Sequence, residues 1–378
     1  MKTTVNIARI LVGAVFIFSG LVKAIDPLGL AYKMQEFFEV WAGDGFLKGL
    51  MMWLHGHALW FSLLMITLEV VLGIALLIGW KIKSVSWLLL LLMLFFTFLT
   101  SYVLFSGKIR ACGCFGDCIP LTPIQTFTKD IILLLLVVLI LFRQKNIAPL
   151  FSNKINLVIL LASILAVAGL QWYVLRHLPV KDCLPYKKGN DLLKLREMPA
   201  DAIPDKYEYS FIYQKNGEKK EFNTSNLPDS SWQYVDRKQT LVQKGKNNIP
   251  LINDFTFTTT AGTDTTAAIL GQTGKYYLLF IKELDGYPGK WDGDIQLIEK
   301  IVKQNKPIYI ITGQPQQVKE KFAGKCKVDG KDYDPIIFTC DVTAIKTAAR
   351  ANPTIFIMKG AVVQEKWSWA DFDKIIKN

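Results

Sequence analysis

Histidine is nearly missing from this chain, with three residues in 378 and none beside a cysteine. His55, His57 and His177 therefore read as isolated interface residues rather than metal ligands, and no CxxCH run is present to attach a haem. A dense basic tract is missing too. The net charge is +12, yet Lys and Arg are scattered over short loops and a polar second half, without a base-reading motif. This excludes nucleic acid as a partner and leaves solvation and contact with anionic membrane lipids to explain the excess. No small-x-small cleavage site follows the first apolar stretch, so that stretch is expected to remain as a first helix rather than leave as a signal peptide.

What the chain does have is apolar residues in long runs. They make up 51% of the sequence and crowd into its first 175 positions. Five segments, near 5–25, 58–80, 84–106, 125–143 and 155–175, each supply the ~20 mainly apolar residues needed to cross a bilayer. Lys2, Lys81, Lys83, Arg143, Lys145 and Lys154 place the N-terminus and the even-numbered loops in the cytoplasm, against Lys108, Arg110 and Arg176. The expected location is a bacterial inner membrane, multi-pass, with everything after 176 facing the periplasm. The first outer loop, AYKMQEFFEVWAGDGFLKGLMMWL, has apolar residues at helical spacing and predicts one or two helices at the interface.

Glu69 falls in the middle of the second span, where an unpaired carboxylate is costly. Arg9, Lys23 and Asp130 are its candidate partners in an intramembrane polar network. Such a network is either a polar latch that fixes helix packing or part of a proton- or quinone-related function.

All six cysteines lie outside the apolar interiors of the spans. Cys112, Cys114 and Cys118 fall within the run ACGCFGDCIPLTP after the third span, and Cys183 follows the fifth in HLPVKDCLPYKKG. Redox exchange requires an accessible thiol of lowered pKa with a resolving sulfur nearby; the spacing supplies the sulfur, and Lys108 and Arg110 are candidates to favour thiolate. Three readings stay open: a redox-active loop, a structural staple such as Cys118 to Cys183, and a metal site, the last disfavoured by the lack of histidine. Cys326 and Cys340, thirteen residues apart, are expected to form a structural disulfide.

The polar half begins with KYEYSFIYQKNGEKKEFN, two strand-like runs about an Asn-Gly turn, followed by an exposed connection to Pro250. From 251 onward the order is DFTFT strand, TDTTAAIL helix, YYLLFIK strand, GDIQLIEKIVKQ helix and PIYIITG strand. PQQVKEKF, PIIFTC, TAIKTAARA, the pair TIFIMKG and AVVQEKW, and a closing helix DFDKIIK complete it. A βαβ portion, a hairpin and a final helix follow the order of a thioredoxin-like fold, and that resemblance implies an α/β domain in which Pro353 takes the cis-proline position. The fold class expected is thus multi-domain: an all-α transmembrane bundle, four helices plus a fifth span, ahead of that extracytoplasmic domain. Its parts are 1–150, 151–181 with the fifth span, a hairpin-containing linker at 182–250, and 251–378.

The membrane half resembles the DoxX family, and within it the branch related to methylamine-utilisation protein MauE. The resemblance rests on Arg9, the SGLVKAIDP stretch, Glu69, CGCFG at 112–116 and Asp130, in that order around four spans. It implies periplasmic maturation of disulfide-containing proteins, with Cys112, Cys114 and Cys118 in the redox role, Cys183 as a resolving or structural partner, and Glu69 and Asp130 supporting the bundle or a quinone pocket. Quinone is a candidate onward acceptor, and a periplasmic protein or membrane complex the candidate partner. One departure limits this implication: residues 283–291, where an active thioredoxin-like domain carries CxxC, contain no cysteine. The expected function is therefore a membrane thiol–disulfide redox or protein-maturation factor, and the alternative a non-enzymatic subunit or scaffold whose soluble domain docks partners.

Overall fold

The computed structural model describes residues 2–109, 112–243, 245–285 and 291–377. Seven helices build the first half: α1 (Lys2–Ala24), α2 (Pro27–Gly43), α3 (Lys48–Gly56), α4 (Ala58–Ile78), α5 (Ile82–Ser106), α6 (Pro123–Arg143) and α7 (Asn153–Arg176). Five of them (α1, α4, α5, α6 and α7) are long and apolar enough to cross a membrane. The other two, α2 and α3, occupy the first long loop, as its helical spacing predicts.

The caps explain where these helices start. Asp26 accepts a hydrogen bond from the Gly29 amide and Pro27 opens α2, while Thr122 and Gln125 form a reciprocal capping box on α6 ahead of Pro123. Close approach decides how α1 meets α4. A Cβ at Gly13 would fall 2.6 Å from Leu77, and one at Gly73 only 2.9 Å from the Gly13 carbonyl oxygen. Only residues this small let the two backbones approach so nearly, which is how helices associate where apolar lipid removes the hydrophobic drive. The outward faces carry Leu91, Phe142 and Leu165, at 61%, 79% and 73% exposure, which suits hydrocarbon rather than water.

The α/β half follows from α8 (Leu192–Arg196). Strands β1 (Lys206–Lys215), β2 (Glu218–Asn223) and β3 (Gln233–Gln243) form a sheet of order β2-β1-β3. Asn216 and Gly217 both have positive φ, as a two-residue hairpin turn between β1 and β2 requires. The third strand is a correction to the expected loop. β3 is exposed along its whole length, so it has no buried face to impose an apolar alternation on its sequence.

The main sheet uses β4 (Lys275–Ile281), β5 (Ile308–Thr312), β8 (Ile336–Thr339), β9 (Thr354–Lys359) and β10 (Val362–Ser368), in the order β10-β9-β4-β5-β8. Helices α9 (Thr266–Leu270), α10 (Trp291–Lys303), α11 (Pro315–Phe322), α12 (Val342–Ala348) and α13 (Phe372–Lys377) connect and cover it, with β6 (Lys327–Val328) and β7 (Lys331–Asp332) as a small side ribbon. β4, β5 and β8 run parallel, and β9 and β10 close the sheet as an antiparallel hairpin. DFTFT contributes only isolated bridges, from Thr258 to Asp264 and to Thr339, while Phe255 and Phe257 lie in the core.

Both faces of this sheet are covered. One core layer holds Tyr276, Leu278, Phe280, Phe338 and Phe356; the other holds Leu279, Leu297, Ile310, Phe322 and Ile355. Trp367 and Trp369 pack against the second layer. The two layers also separate Cys340, in the first, from Cys326, in the second. Both are free, so the disulfide expected between them is not formed: the sheet stands between the two sulfurs.

Candidate functional site

The loop from α5 to α6 carries the cysteines, and the structure sorts them into two kinds. Cys118 is bonded to Cys183, with Cα atoms 4.9 Å apart and a sequence separation of 65. This is the staple that the sequence left open, and it ties the cysteine loop to the segment entering the α/β half. Cys112 and Cys114 are free thiols with their sulfurs 3.4 Å apart. Ser19 on α1 donates to the Cys114 carbonyl at 3.0 Å and pins the loop to the bundle.

Either sulfur of the pair can donate to the other, and the surrounding charge decides which. Cys114 has its pKa lowered, first by the hydrogen bond from Cys112 and then by the Lys129 ammonium, with Lys23 adding to the effect. Cys112 is pushed well above the ordinary thiol range by that same hydrogen bond and by burial. Cys114 is therefore the more acidic sulfur of the pair and Cys112 the less acidic one. Lys129 also lies over the Phe115 ring at 5.0 Å and pairs with Asp130 at 2.7 Å. Lys108 does not serve the sulfurs as expected; it binds the Asp44 carboxylate at 2.6 and 2.7 Å. Arg110 lies outside the described residues.

Beneath the pair is a cavity of about 50 Å³, walled by Lys23, Lys33, Met34, Phe37, Phe96 and Lys129. A smaller one of about 20 Å³ adjoins it and is lined by Ser19, Glu69 and Asp130. Within the bundle, Lys23 is the partner of Glu69, across α1 and α4, and both are almost wholly buried. Asp130 faces the same small cavity, whereas Arg9 sits ~21 Å further along α1 at 1.5 Å per residue, too far to join.

The α/β half reaches this site through the turn before β9. Arg350, 6% exposed, binds Asp26 through Nε and Asp117 through Nη2, both at 2.8 Å. Its Nη1 donates to the Lys346 carbonyl at 3.1 Å. Tyr32 on α2 lies under the Arg350 and Lys346 cations at 5.4 and 5.5 Å, and Lys282 Nζ reaches its hydroxyl at 3.3 Å. Lys282 also donates to the Arg350 carbonyl at 2.8 Å, and burial pushes its pKa down to about 7. The next peptide, Asn352–Pro353, is cis. Sequence reasoning did not find Lys33, Lys129, Tyr32 or Lys282. Only Lys129, next to Asp130 at the mouth of a span, carried a local signal; the others acquire meaning from contacts across the two halves.

Among the described residues no cluster of His, Cys, Asp and Glu has the arrangement of a metal site. Cys326 and Cys340 are buried, and their pKa values are pushed by that burial to about 11 and about 12, which makes them poor nucleophiles.

Residues 1–143 match the family described as Methylamine utilisation protein MauE, and residues 207–244 match a domain of unknown function, DUF8463. Protein TlpB of Flavobacterium psychrophilum is 34% identical over 137 residues, which is 35% of this chain and 35% of that protein. The chain thus spans about a third of the length of this curated relative. No solved structure matches. The protein is a multi-pass membrane protein with a MauE-like membrane domain followed by a mixed α/β region.

Proposed function

We propose that this protein is a membrane thiol–disulfide redox or protein-maturation factor acting on periplasmic partners, with Cys112 and Cys114 as its exchanging pair. One observation carries this reading: two free sulfurs 3.4 Å apart in a loop whose other cysteine is already closed on Cys183. Closing them needs a shift of little more than about 1 Å, since a disulfide is about 2 Å long. Cys118 and Cys183 then have a structural role, and the four candidate redox cysteines reduce to two.

The electrons balance within the pair. The Cys114 thiolate attacks a partner disulfide, forming a mixed disulfide and releasing one partner thiolate. Cys112 gives up its proton and attacks the Cys114 sulfur, closing the Cys112–Cys114 bond and releasing the second partner sulfur. The partner gains two electrons from the pair, one proton from Cys112 and a second from water, and the reverse sequence oxidises a partner dithiol. A quinone does not fit as things stand, because about 50 Å³ holds roughly one or two waters and not a ring, so no step is routed through it.

The strand order and the Asn352–Pro353 turn support a thioredoxin-like reading of residues 251–378, following a membrane domain to 150, a fifth span to 181 and a linker to 250. Without a cysteine at 283–291 or an exposed thiol elsewhere among its described residues, that domain acts in docking rather than exchange. The orientation that suits this function puts the cysteine loop and the α/β domain in the periplasm.

Thiol trapping of the protein in its membrane across a graded redox buffer tests the proposal. Cys112 and Cys114 should titrate together and reversibly while Cys118–Cys183 stays closed. A pair that never closes before the protein unfolds would remove the redox reading and leave a scaffold.

A further inference from the structure

The two walls of the cysteine cavity belong to different elements. One is α2, through Lys33, Met34 and Phe37; the other is the cysteine loop itself. Nothing covalent joins them nearby, but one guanidinium does so electrostatically. Arg350 takes Asp26 at the start of α2 with Nε and Asp117 in the cysteine loop with Nη2. Gly29 lies directly under this contact. A Cβ there would stand 3.1 Å from Asp26 Oδ2, 3.3 Å from Asp117 Oδ2 and 3.4 Å from Arg350 Nη2, so the small residue lets the three charges close.

Elsewhere the attachment of the α/β half is of another kind. The Cys118–Cys183 bond is covalent, and beside it Lys366 binds Asp182 at 2.6 Å and His177 binds Asp371 at 2.9 Å. The domain is therefore held at one point by a bond that persists and at another by ion pairs that can open. Between α2 and α12, next to Arg350, lies a cleft of about 320 Å³ with Lys33, Glu36, Glu39, Lys346 and Thr347 among its walls. Lys33 lines both this cleft and the sulfur cavity, and its Cγ would lie 3.7 Å from a Cβ on Gly113, between the two cysteines. The cleft is of the size that seats a ligand, and walls of mixed charge suit a polar extended backbone better than a lipid tail.

We propose that a partner's cysteine-bearing segment enters through the cleft between α2 and α12, and that Arg350 is the latch that closes this entry by holding α2 to the cysteine loop. The proposal rests on the reading of Cys112 and Cys114 as the exchanging pair. Lys33 is then the side chain the segment must move to reach the sulfurs. The Cys118–Cys183 bond is the tether that keeps the domain over the site while the latch is open.

The test uses the full-length protein in bilayer discs, with Cys112 and Cys114 as free thiols and the Cys118–Cys183 bond closed. Labelling of Cys112 and Cys114 is timed with iodoacetamide, with a polymer-bearing maleimide, and with an extended peptide carrying one thionitropyridyl-activated cysteine. Arg350→Gln should raise the rate with the polymer reagent by about tenfold while the iodoacetamide rate hardly changes, a tenfold shift being a modest change in a closed–open equilibrium. Gly29→Val, which keeps every charge but wedges the walls apart, should act in the same direction. Thr347→Trp, which fills the cleft, should slow the peptide and spare iodoacetamide. An unchanged ratio of polymer to iodoacetamide rates in Arg350→Gln and Gly29→Val, or equal rises of both, would overturn the latch. An unchanged peptide rate in Thr347→Trp would overturn the route. None of these rates requires the pair to be redox-active, so a pair that fails to titrate would sink the functional reading and leave the accessibility result readable by itself.

Discussion

Arg350 and Asp26 form a 2.8 Å ion pair across 324 positions of sequence, joining the turn before β9 to the first residue of the α2 cap. Asp26 is 19% exposed and Asp117, the second carboxylate on the same guanidinium, is 50% exposed. Those exposures rank the two contacts. Neutralising the more buried carboxylate leaves Arg350 with less compensation, whereas an exposed partner is readily replaced by water. Asp26→Asn should therefore destabilise docking by about 1–3 kcal/mol and Asp117→Asn by less than about 1 kcal/mol. Limited proteolysis of the α7–α8 connection, compared between the variants, measures the difference. Equal effects would mean that the guanidinium holds both walls alike.

Lys282 makes the same interface sensitive to pH. It is surrounded by Arg350 and Lys346, which disfavour its charge, and by Glu283 and Asp26, which favour it; Tyr32 caps it from α2. Burial first, with Arg350 adding to it, outweighs the two carboxylates and lowers its pKa from 10.5 to about 7. Where the interface opens, the side chain returns to water and the ordinary lysine range. Between those two values the open form holds a proton that the closed form lacks, so closure strengthens as pH rises above about 7 and the gain is complete near 10.5. Below pH 7 the amine is charged in both forms and the dependence flattens. The ratio of polymer to iodoacetamide labelling should consequently fall as pH rises from about 7 to about 9, and Lys282→Met should flatten the curve.

Much of this molecule was visible before folding because its governing patterns are local. The five spans follow from apolar run length, and the β1–β2 hairpin from Asn216-Gly217. Periodicity failed where no buried face imposed it, as along β3. It also failed for the Cys326–Cys340 pairing, because a spacing of thirteen residues does not say which side of a sheet each sulfur faces. The cysteine loop was recognisable from its composition. Its division into a closed bond and a free pair was not, because Cys183 and Lys129 reach it only through the bundle. The partners of Arg350, Asp26 and Asp117, lie in another part of the chain, so its local sequence does not reveal them.

Lys23 and Glu69 form a nearly completely buried pair between α1 and α4. Removing one member strands the other charge in a low-dielectric bundle, while removing both leaves an apolar contact. Lys23→Met and Glu69→Leu should each lower stability by about 3–5 kcal/mol, and the double variant should recover most of that loss. Thermal unfolding in detergent of the four proteins completes the cycle. A double variant as unstable as either single one would show that the pair has another structural duty, such as ordering the adjoining cavity at Asp130.

The asymmetry of the free pair is the feature most directly open to measurement. Cys114 is lowered below the ordinary thiol value of 9.0, first by the hydrogen bond from Cys112 and next by Lys129. The rate of its reaction with iodoacetamide follows the thiolate fraction, so the half-point of its pH profile should lie below 9.0 in the wild type. Cys112→Ala deletes the leading contribution and should move that half-point up furthest. Lys129→Met removes only the charge behind it and should move it up less, while Lys129→Arg should hold it near the wild-type position. Burial acts on Cys114 in the opposite sense, so both losses together should leave a thiol slower at neutral pH than an ordinary one. Mass mapping of the labelled peptide assigns each profile to its cysteine. A larger shift from Lys129→Met than from Cys112→Ala would reverse the order of causes and make the ammonium, not the neighbouring thiol, the group that prepares Cys114 to attack.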